Sequence, residues 1–163
     1  MKKGLRIWAL LAVCIGLSGL LAGCRTVTQR ANTADTWSKV KQQKKVVVGL
    51  DDSFVPMGFR QKSGKLVGYD IDLARAVFKL YGIKVDFQTI DWNMNVTELH
   101  NGTIDLIWNG FSITPQRQKQ AAFSDTYLYN DQVLVTLKKN KIKSFADMQG
   151  KVLGAQTGSS GAN

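Results

Sequence analysis

The chain has 163 residues, with 22 Lys and Arg against 12 Asp and Glu, so its formal net charge is +10. Two cysteines and one histidine argue against a metal site, a thiol enzyme or a histidine-dependent triad. The lysines form no stripe interleaved with aromatic residues, so we expect no nucleic acid as partner. We also expect no cofactor.

The first 23 residues have the features of an export signal rather than of a folded domain. Three basic residues precede an apolar stretch, 7–20, that is too short to span a bilayer comfortably. The tetrapeptide that ends at Cys24 resembles the lipobox of bacterial lipoproteins, which implies that Cys24 is lipidated after cleavage. A plain secretory signal and an uncleaved anchor are the alternatives. Residues 24–44 are polar with little helical periodicity, and are predicted to form a lipid-anchored tether.

From residue 45 onward, strand and helix patterns alternate along the chain. Val46–Leu50 is a continuous apolar run, which is typical of a buried parallel strand. Residues 51–56 are predicted to form a loop. Residues 59–67 are predicted to form a hairpin that turns at 62–65.

A helix is predicted from Asp70, as its N-cap, to about Tyr81, with Gly82 as the residue that ends it. Apolar residues three and four positions apart should form its buried face. That face comprises Ile71, Ala74, Phe78 and Tyr81.

Two further strands are predicted at 84–90 and 104–108, with a short helix between them that ends near His100. Strands that alternate with helices indicate βαβ units with right-handed crossovers. The predicted fold class is therefore α/β with a parallel sheet.

The loops at the carboxyl ends of these strands are the expected ligand edge, because open parallel sheets bind ligands in the crevice beyond those ends. They carry an acid, two aromatic rings and a guanidinium, in the set Asp51, Phe54, Trp92, Gly110, Ser112 and Arg117. The arginine suits an α-carboxylate, Asp51 suits an ammonium group, and the aromatic rings suit a side chain. Core packing is the alternative for Phe54 and Trp92, and a simple turn is the alternative for Asp51.

The run from Gly110 to Arg117 has the composition of a carboxylate clamp. Thr114 is a good helix N-cap and Pro115 suits the first helical position, so unpaired N–H groups would point back at the preceding loop. Arg117 adds a planar fork that can hold a carboxylate by two hydrogen bonds. An ordinary capped helix with a surface arginine is the alternative.

Six segments, in order along the chain, resemble the family 3 extracellular solute-binding proteins, the polar amino-acid receptors of ABC-type importers. These segments are 46–56, 68–74, 91–92, 101–105, 110–117 and 123–127. The resemblance implies a periplasmic-binding-protein-like fold of two lobes that close on one amino acid. Residues 45–130 would belong to the first lobe and 131–163 to the start of the second.

The resemblance also implies roles for individual residues. Arg117 would bind the carboxylate, and Gly110 and Ser112 would hydrogen-bond the carboxylate or the ammonium group. The rest of the first-lobe wall would comprise Asp51, Phe54 and Trp92.

In the second lobe, residues 144–150 are expected to form a helix and 152–155 a strand. Ser159 and Ser160 are expected in a loop that closes over the ligand, and a flexible Gly/Ser tail is the alternative. Members of the family continue beyond this point. The chain is therefore expected to be a truncated member or a fragment, and to bind weakly or not at all by itself.

The implied function is that of the solute-binding component of an ABC-type amino-acid importer, a monomer that is lipid-anchored on the extracytoplasmic face of the cell membrane and docks on a permease. An enzyme on the same scaffold, such as a cyclohexadienyl dehydratase, and a cell-surface amino-acid sensor are the alternatives. Glu98 is the one glutamate of the sequence and falls away from the ligand edge, so we expect no enzymatic activity. Glutamine or cystine would fit the site, and basic and acidic amino acids stay open.

Overall fold

The computed structural model describes residues 36–162. The predicted export signal and the predicted lipidation site, Cys24, lie outside the described residues. The helices are α1 (Trp37–Gln43), α2 (Tyr69–Leu80), α3 (Asn95–Asn101) and α4 (Pro115–Gln118). The strands are β1 (Lys45–Leu50), β2 (Ser53–Phe54), β3 (Gly58–Arg60), β4 (Leu66–Val67), β5 (Lys84–Thr89) and β6 (Leu106–Ile107). Single 3₁₀ turns lie at Trp92–Met94, Lys138–Asn140 and Phe145–Met148. Within residues 36–162, no helix combines the length and the apolar character that a membrane span requires.

The parallel sheet predicted from the sequence is present, with the strand order β5-β1-β6. Strand β1 pairs along its whole length with β5, from Lys45 opposite Lys84 to Leu50 opposite Thr89. Strand β6 is shorter than predicted, although the N–H of Trp108 still donates to the carbonyl of Gly49 at 3.2 Å. The fold class is α/β, as predicted.

Helix α1 corrects the predicted boundary of the tether. Residues 37–43 are helical, and Val40 is buried in the same hydrophobic cluster as Val46, Val48 and Phe78. The polar composition of this segment hides the helix, because a single buried residue is enough to dock it. Residues 36–44 are therefore part of the folded domain and not of a free tether.

Helix α2 follows the predicted pattern, with two corrections. Gly68 is the N-cap, and Asp70 lies inside the first turn with its carboxyl group buried, so Asp70 is not the cap. Tyr81 lies past the last helical residue and is exposed, so it is not part of the buried face. Its ring contacts that of Trp37 edge-on. Gly82 ends the helix as predicted, at φ +62°.

The predicted hairpin is present as β3 and β4, with Phe59 opposite Val67. Strand β2 extends it to an antiparallel sheet of three short strands. The prediction of a loop over residues 51–56 is therefore wrong at Ser53 and Phe54, which pair with β3.

The segment after residue 131 differs most from the prediction. Residues 145–148 form a 3₁₀ turn, stabilised by reciprocal hydrogen bonds between Ser144 and Asp147, in place of a longer helix. The strand predicted at 152–155 is not formed, and Val152 and Leu153 are exposed. An apolar run becomes a strand only with a neighbour to share its backbone hydrogen bonds, and none pairs with it in the described part of the chain.

Candidate ligand-binding site

The carboxyl end of the parallel sheet opens into a cavity of about 740 Å³. The loops that follow β1, β5 and β6 all reach it. All eight residues predicted to contact the ligand line it, namely Asp51, Phe54, Trp92, Gly110, Ser112, Arg117, Ser159 and Ser160. The structure thus brings these residues to one rim, and their roles in binding stay predictions.

Arg117 occupies the position that the local sequence signals indicated. The hydroxyl oxygen of Thr114 accepts a hydrogen bond from the N–H of Arg117 at 3.2 Å, and Pro115 is the first residue of α4. Helix α4 has only four residues, so we assign the anion-binding potential of this rim to the guanidinium rather than to a helix terminus.

The Arg117 side chain is 7% exposed, and its charge has no acidic partner within residues 36–162. The guanidinium donates to the carbonyl of Ser112 at 3.0 Å and to the carbonyl of Gly158 at 2.8 Å. Its central carbon lies 4.2 Å from the centroid of the Phe111 ring. Burial lowers the pKa of Arg117 below its ordinary value, because the charged form loses hydration without gaining an opposite charge.

Asp51 forms both a local turn and a contact across the cavity rim. Its Oδ1 accepts from the N–H of Ser53 at 2.9 Å and from the Ser53 hydroxyl at 2.6 Å, while its Oδ2 accepts from the Gln156 amide at 2.7 Å. Partial burial acts to raise the pKa of Asp51, but the hydrogen bonds from Ser53 and Gln156 outweigh it and lower the pKa. The carboxylate therefore stays ionised at neutral pH, and Oδ2 can accept one further hydrogen bond.

The aromatic residues of the site divide into packed and open members. Trp92 is 8% exposed and meets the ring of Phe111 edge-on at 5.8 Å, and Phe111 stacks on Phe123 at 5.5 Å. Phe54 is 44% exposed. Trp92 therefore chiefly supports the wall, and Phe54 is open to a ligand, as are Tyr127 and Tyr129.

Two glycines allow close approaches at the rim. Gly110 has φ +60°, and a Cβ there would lie 2.7 Å from a ring carbon of Phe54. Gly158 has φ +73°, and a Cβ there would lie 2.8 Å from the Cα of Asn93. Both backbone conformations disfavour any residue other than glycine. At Gly158 the space is also blocked by the backbone of Asn93, whereas at Gly110 the nearest atom belongs to the Phe54 side chain. The segment 156–160 contacts the rim of the cavity through two hydrogen bonds, from the Gln156 amide to Asp51 and from Arg117 to the Gly158 carbonyl.

Sequence reasoning missed several residues of the cavity. Asn109 is buried and lines it, and neither polar atom of its amide has a hydrogen-bond partner among the described residues. Its position directly after the β6 strand signal could have identified it. Tyr127 also lines the cavity and donates its hydroxyl proton to Asp70 at 2.8 Å. No local signal indicates that contact, because 57 residues separate the two.

Comparison with known proteins gives matches over most of the described chain. The model of the family "Bacterial extracellular solute-binding proteins, family 3" matches residues 46–157. The arginine-binding extracellular protein ArtP of Bacillus subtilis (strain 168) is 32% identical, over 86% of this chain and 54% of its own length. The chain spans about half the length of the curated relatives it matches.

Two solved structures resemble the fold. One is an ABC uptake transporter substrate-binding protein from Streptococcus pneumoniae with bound histidine, at 55% identity and a TM-score of 0.77, covering 80% of this chain and 53% of that chain. The other is the ancestral amino acid-binding protein AncCDT-1, a precursor of cyclohexadienyl dehydratase, at 37% identity and a TM-score of 0.67, covering 70% of this chain and 51% of that chain.

Proposed function

This chain belongs to the bacterial extracellular solute-binding proteins of family 3, and on that premise we propose that it serves an ABC-type importer as the component that binds a polar amino acid. The ligand would occupy the cavity at the carboxyl end of the parallel sheet, between the first-lobe rim and the segment 156–160. The protein would bind the amino acid without catalysing a reaction on it. Lobe closure would follow from contacts of the ligand with both sides of the cavity.

The observation that carries this proposal is the unpaired buried charge of Arg117. Removing a guanidinium from water is costly unless a full opposite charge compensates it, and the carbonyl oxygens of Ser112 and Gly158 supply only partial charges. The α-carboxylate of an amino acid would supply that charge and match the planar fork. Asp51, which is ionised and has one acceptor position left, would receive the α-ammonium group.

The charge of the cavity favours some amino acids over others. Its described lining holds three carboxylates, Asp51, Asp125 and Asp131, against the single guanidinium of Arg117, a net charge of −2. An acidic side chain would add to this negative charge, whereas a neutral or cationic one would not. We therefore propose a neutral or cationic polar amino acid as the ligand. The names of relatives agree with this, since ArtP is called arginine-binding and the pneumococcal protein was solved with histidine.

The cellular setting belongs to the same proposal. The lipobox-like tetrapeptide ending at Cys24 supports a lipid anchor, and the extracellular family supports a location on the outer face of the cell membrane. The partner would be the membrane permease of the importer, and the binding protein would act as a monomer.

The experiment is a calorimetric titration of the 163-residue chain with L-arginine, L-histidine, L-glutamine and L-glutamate. Because the segment 156–160 already contacts Arg117 and Asp51 in this chain, we expect weak but measurable heat of binding for at least one of the first three and the weakest binding for glutamate. Absence of binding to every amino acid at millimolar concentration would contradict the proposal. Turnover of a cyclohexadienyl acid in the absence of amino-acid binding would favour the enzyme alternative instead.

A further inference from the structure

Asp70 carries a buried carboxyl group and is not among the residues proposed to contact the amino-acid ligand. It lies in the first turn of α2 and is 1% exposed. Its Oδ1 accepts the hydroxyl proton of Tyr127 at 2.8 Å, and its Oδ2 has no hydrogen-bond partner in the described part of the chain. Burial raises its pKa, and the Tyr127 hydroxyl, together with the nearby N–H groups of Gly110 and the Trp108 indole, opposes that shift without cancelling it.

Residues beside the Asp70 carboxyl group also line the cavity. Tyr127 lines the cavity, and its ring centroid lies 6.1 Å from that of Trp108, which directly follows β6. The N–H of Gly110 faces the carboxyl group of Asp70 from the turn that carries the predicted ligand contacts. Asp70 therefore stands behind two separate parts of the cavity wall, the Tyr127 ring and the Gly110 turn.

A helix-terminal role alone does not account for Asp70. An acid in the first turn of a helix is favoured by the helix dipole, but it does not have to be buried for that. Asp72 lies in the same turn with its side chain 79% exposed. A buried carboxyl group with one oxygen unsatisfied is destabilising, and such groups persist where a function requires them.

We propose that Asp70 is a positioning residue of the binding site, which holds the Tyr127 wall and the Gly110 turn at the spacing that an amino-acid ligand requires. This inference rests on the proposed function, since the ligand is the one proposed above. Asp70 acts through Tyr127 and Gly110 and does not touch the ligand itself.

The test is a double-mutant cycle with Asp70→Asn and Tyr127→Phe in the full 163-residue chain. Asp70→Asn removes the charge at nearly constant shape, and Tyr127→Phe removes only the hydroxyl group. Two variants serve as matched controls outside the cavity lining, Asp72→Asn for the loss of charge and Tyr69→Phe for the loss of a hydroxyl. Three quantities are measured, namely Kd for L-arginine, the free energy of unfolding in urea, and the ¹H–¹⁵N NMR shift of the Gly110 amide.

We expect Asp70→Asn and Tyr127→Phe each to shift the NMR signal of the Gly110 amide and to raise Kd about tenfold, which is the scale of one hydrogen bond to a charged group. The double variant should bind no more weakly than the weaker single one, because both changes break the same contact. The controls should leave Kd and the amide shift unchanged. Tyr127→Phe keeps the test decisive if Asp70→Asn does not fold.

A lower free energy of unfolding with unchanged Kd and an unmoved Gly110 amide would overturn the inference, because it would make Asp70 a structural residue only. Absence of amino-acid binding by the wild-type chain would refute the proposed function instead. In that case the Gly110 amide still decides whether Asp70 holds the turn, and an unmoved amide would overturn that claim as well.

Discussion

A methyl group added at Gly110 should weaken ligand binding, whereas the same change at a control glycine should lower only the stability of the fold. The residue has φ +60°, and an added Cβ would lie 2.7 Å from a ring carbon of Phe54. The left-handed backbone costs alanine about 1–2 kcal/mol. The contact with Phe54 is roughly 1 Å shorter than a normal carbon–carbon contact. Because the Phe54 ring is 44% exposed, it can move aside toward solvent, so the steric part adds little to the loss of stability.

The cost of Gly110→Ala should instead appear in the affinity for the ligand. An aromatic contact contributes about 0.5–1.5 kcal/mol, so displacing Phe54 from the wall should weaken Kd about two- to tenfold. Gly82→Ala is the matched control. Gly82 has a similar φ of +62°, but a Cβ added there would have no atom within 4 Å. We expect both variants to lose a similar free energy of unfolding in urea, and only Gly110→Ala to lose affinity in calorimetry. Equal affinities for the two variants would refute the reasoning.

Two further predictions concern the fold and its response to acid. Val40→Ala should lower the free energy of unfolding in urea by about 1–2 kcal/mol, because Val40 is buried in the core. The control Lys39→Ala should not lower it, because Lys39 is exposed. Equal free energies of unfolding for the two variants would mean that α1 is not packed against the core. The folded state lowers the pKa of Asp51 from its ordinary value of 3.8, so its stabilising contribution is present above that pH and is lost as the pH falls through the lowered pKa. The stability of Asp51→Asn should therefore decline less steeply than that of the wild type below about pH 4 in urea titrations, and parallel declines would contradict this.

The parts of the fold with a strong local signal were predictable from the sequence. The apolar run of β1 and the glycine after α2 each identify their element without help from distant residues. The rule that parallel sheets bind ligands at the carboxyl ends of their strands then indicated a common rim for Asp51 and Arg117. The structure places both residues at that rim.

The predictions that were wrong depended on contacts between residues far apart in sequence. Asp70 is a residue type typical of an N-cap, yet Gly68 is the cap and the Asp70 carboxyl group is buried against Tyr127, far away in sequence. The strand predicted at 152–155 required a partner strand that local hydrophobicity does not provide. Helix α1 is held by the burial of Val40, which periodicity over seven residues does not reveal.

The grip of Arg117 on an α-carboxylate is the central claim, and the most direct measurement combines one variant with one ligand analogue. Agmatine is arginine without its carboxylate, and Arg117→Lys keeps the positive charge while removing the planar fork. Arg75→Lys on α2, outside the cavity lining, is the matched control. Calorimetry should show that the wild-type chain and Arg75→Lys prefer L-arginine to agmatine by about tenfold or more, and that Arg117→Lys loses most of this preference. A wild-type chain that binds the two molecules equally, or an Arg117→Lys variant that keeps the full preference, would contradict the account.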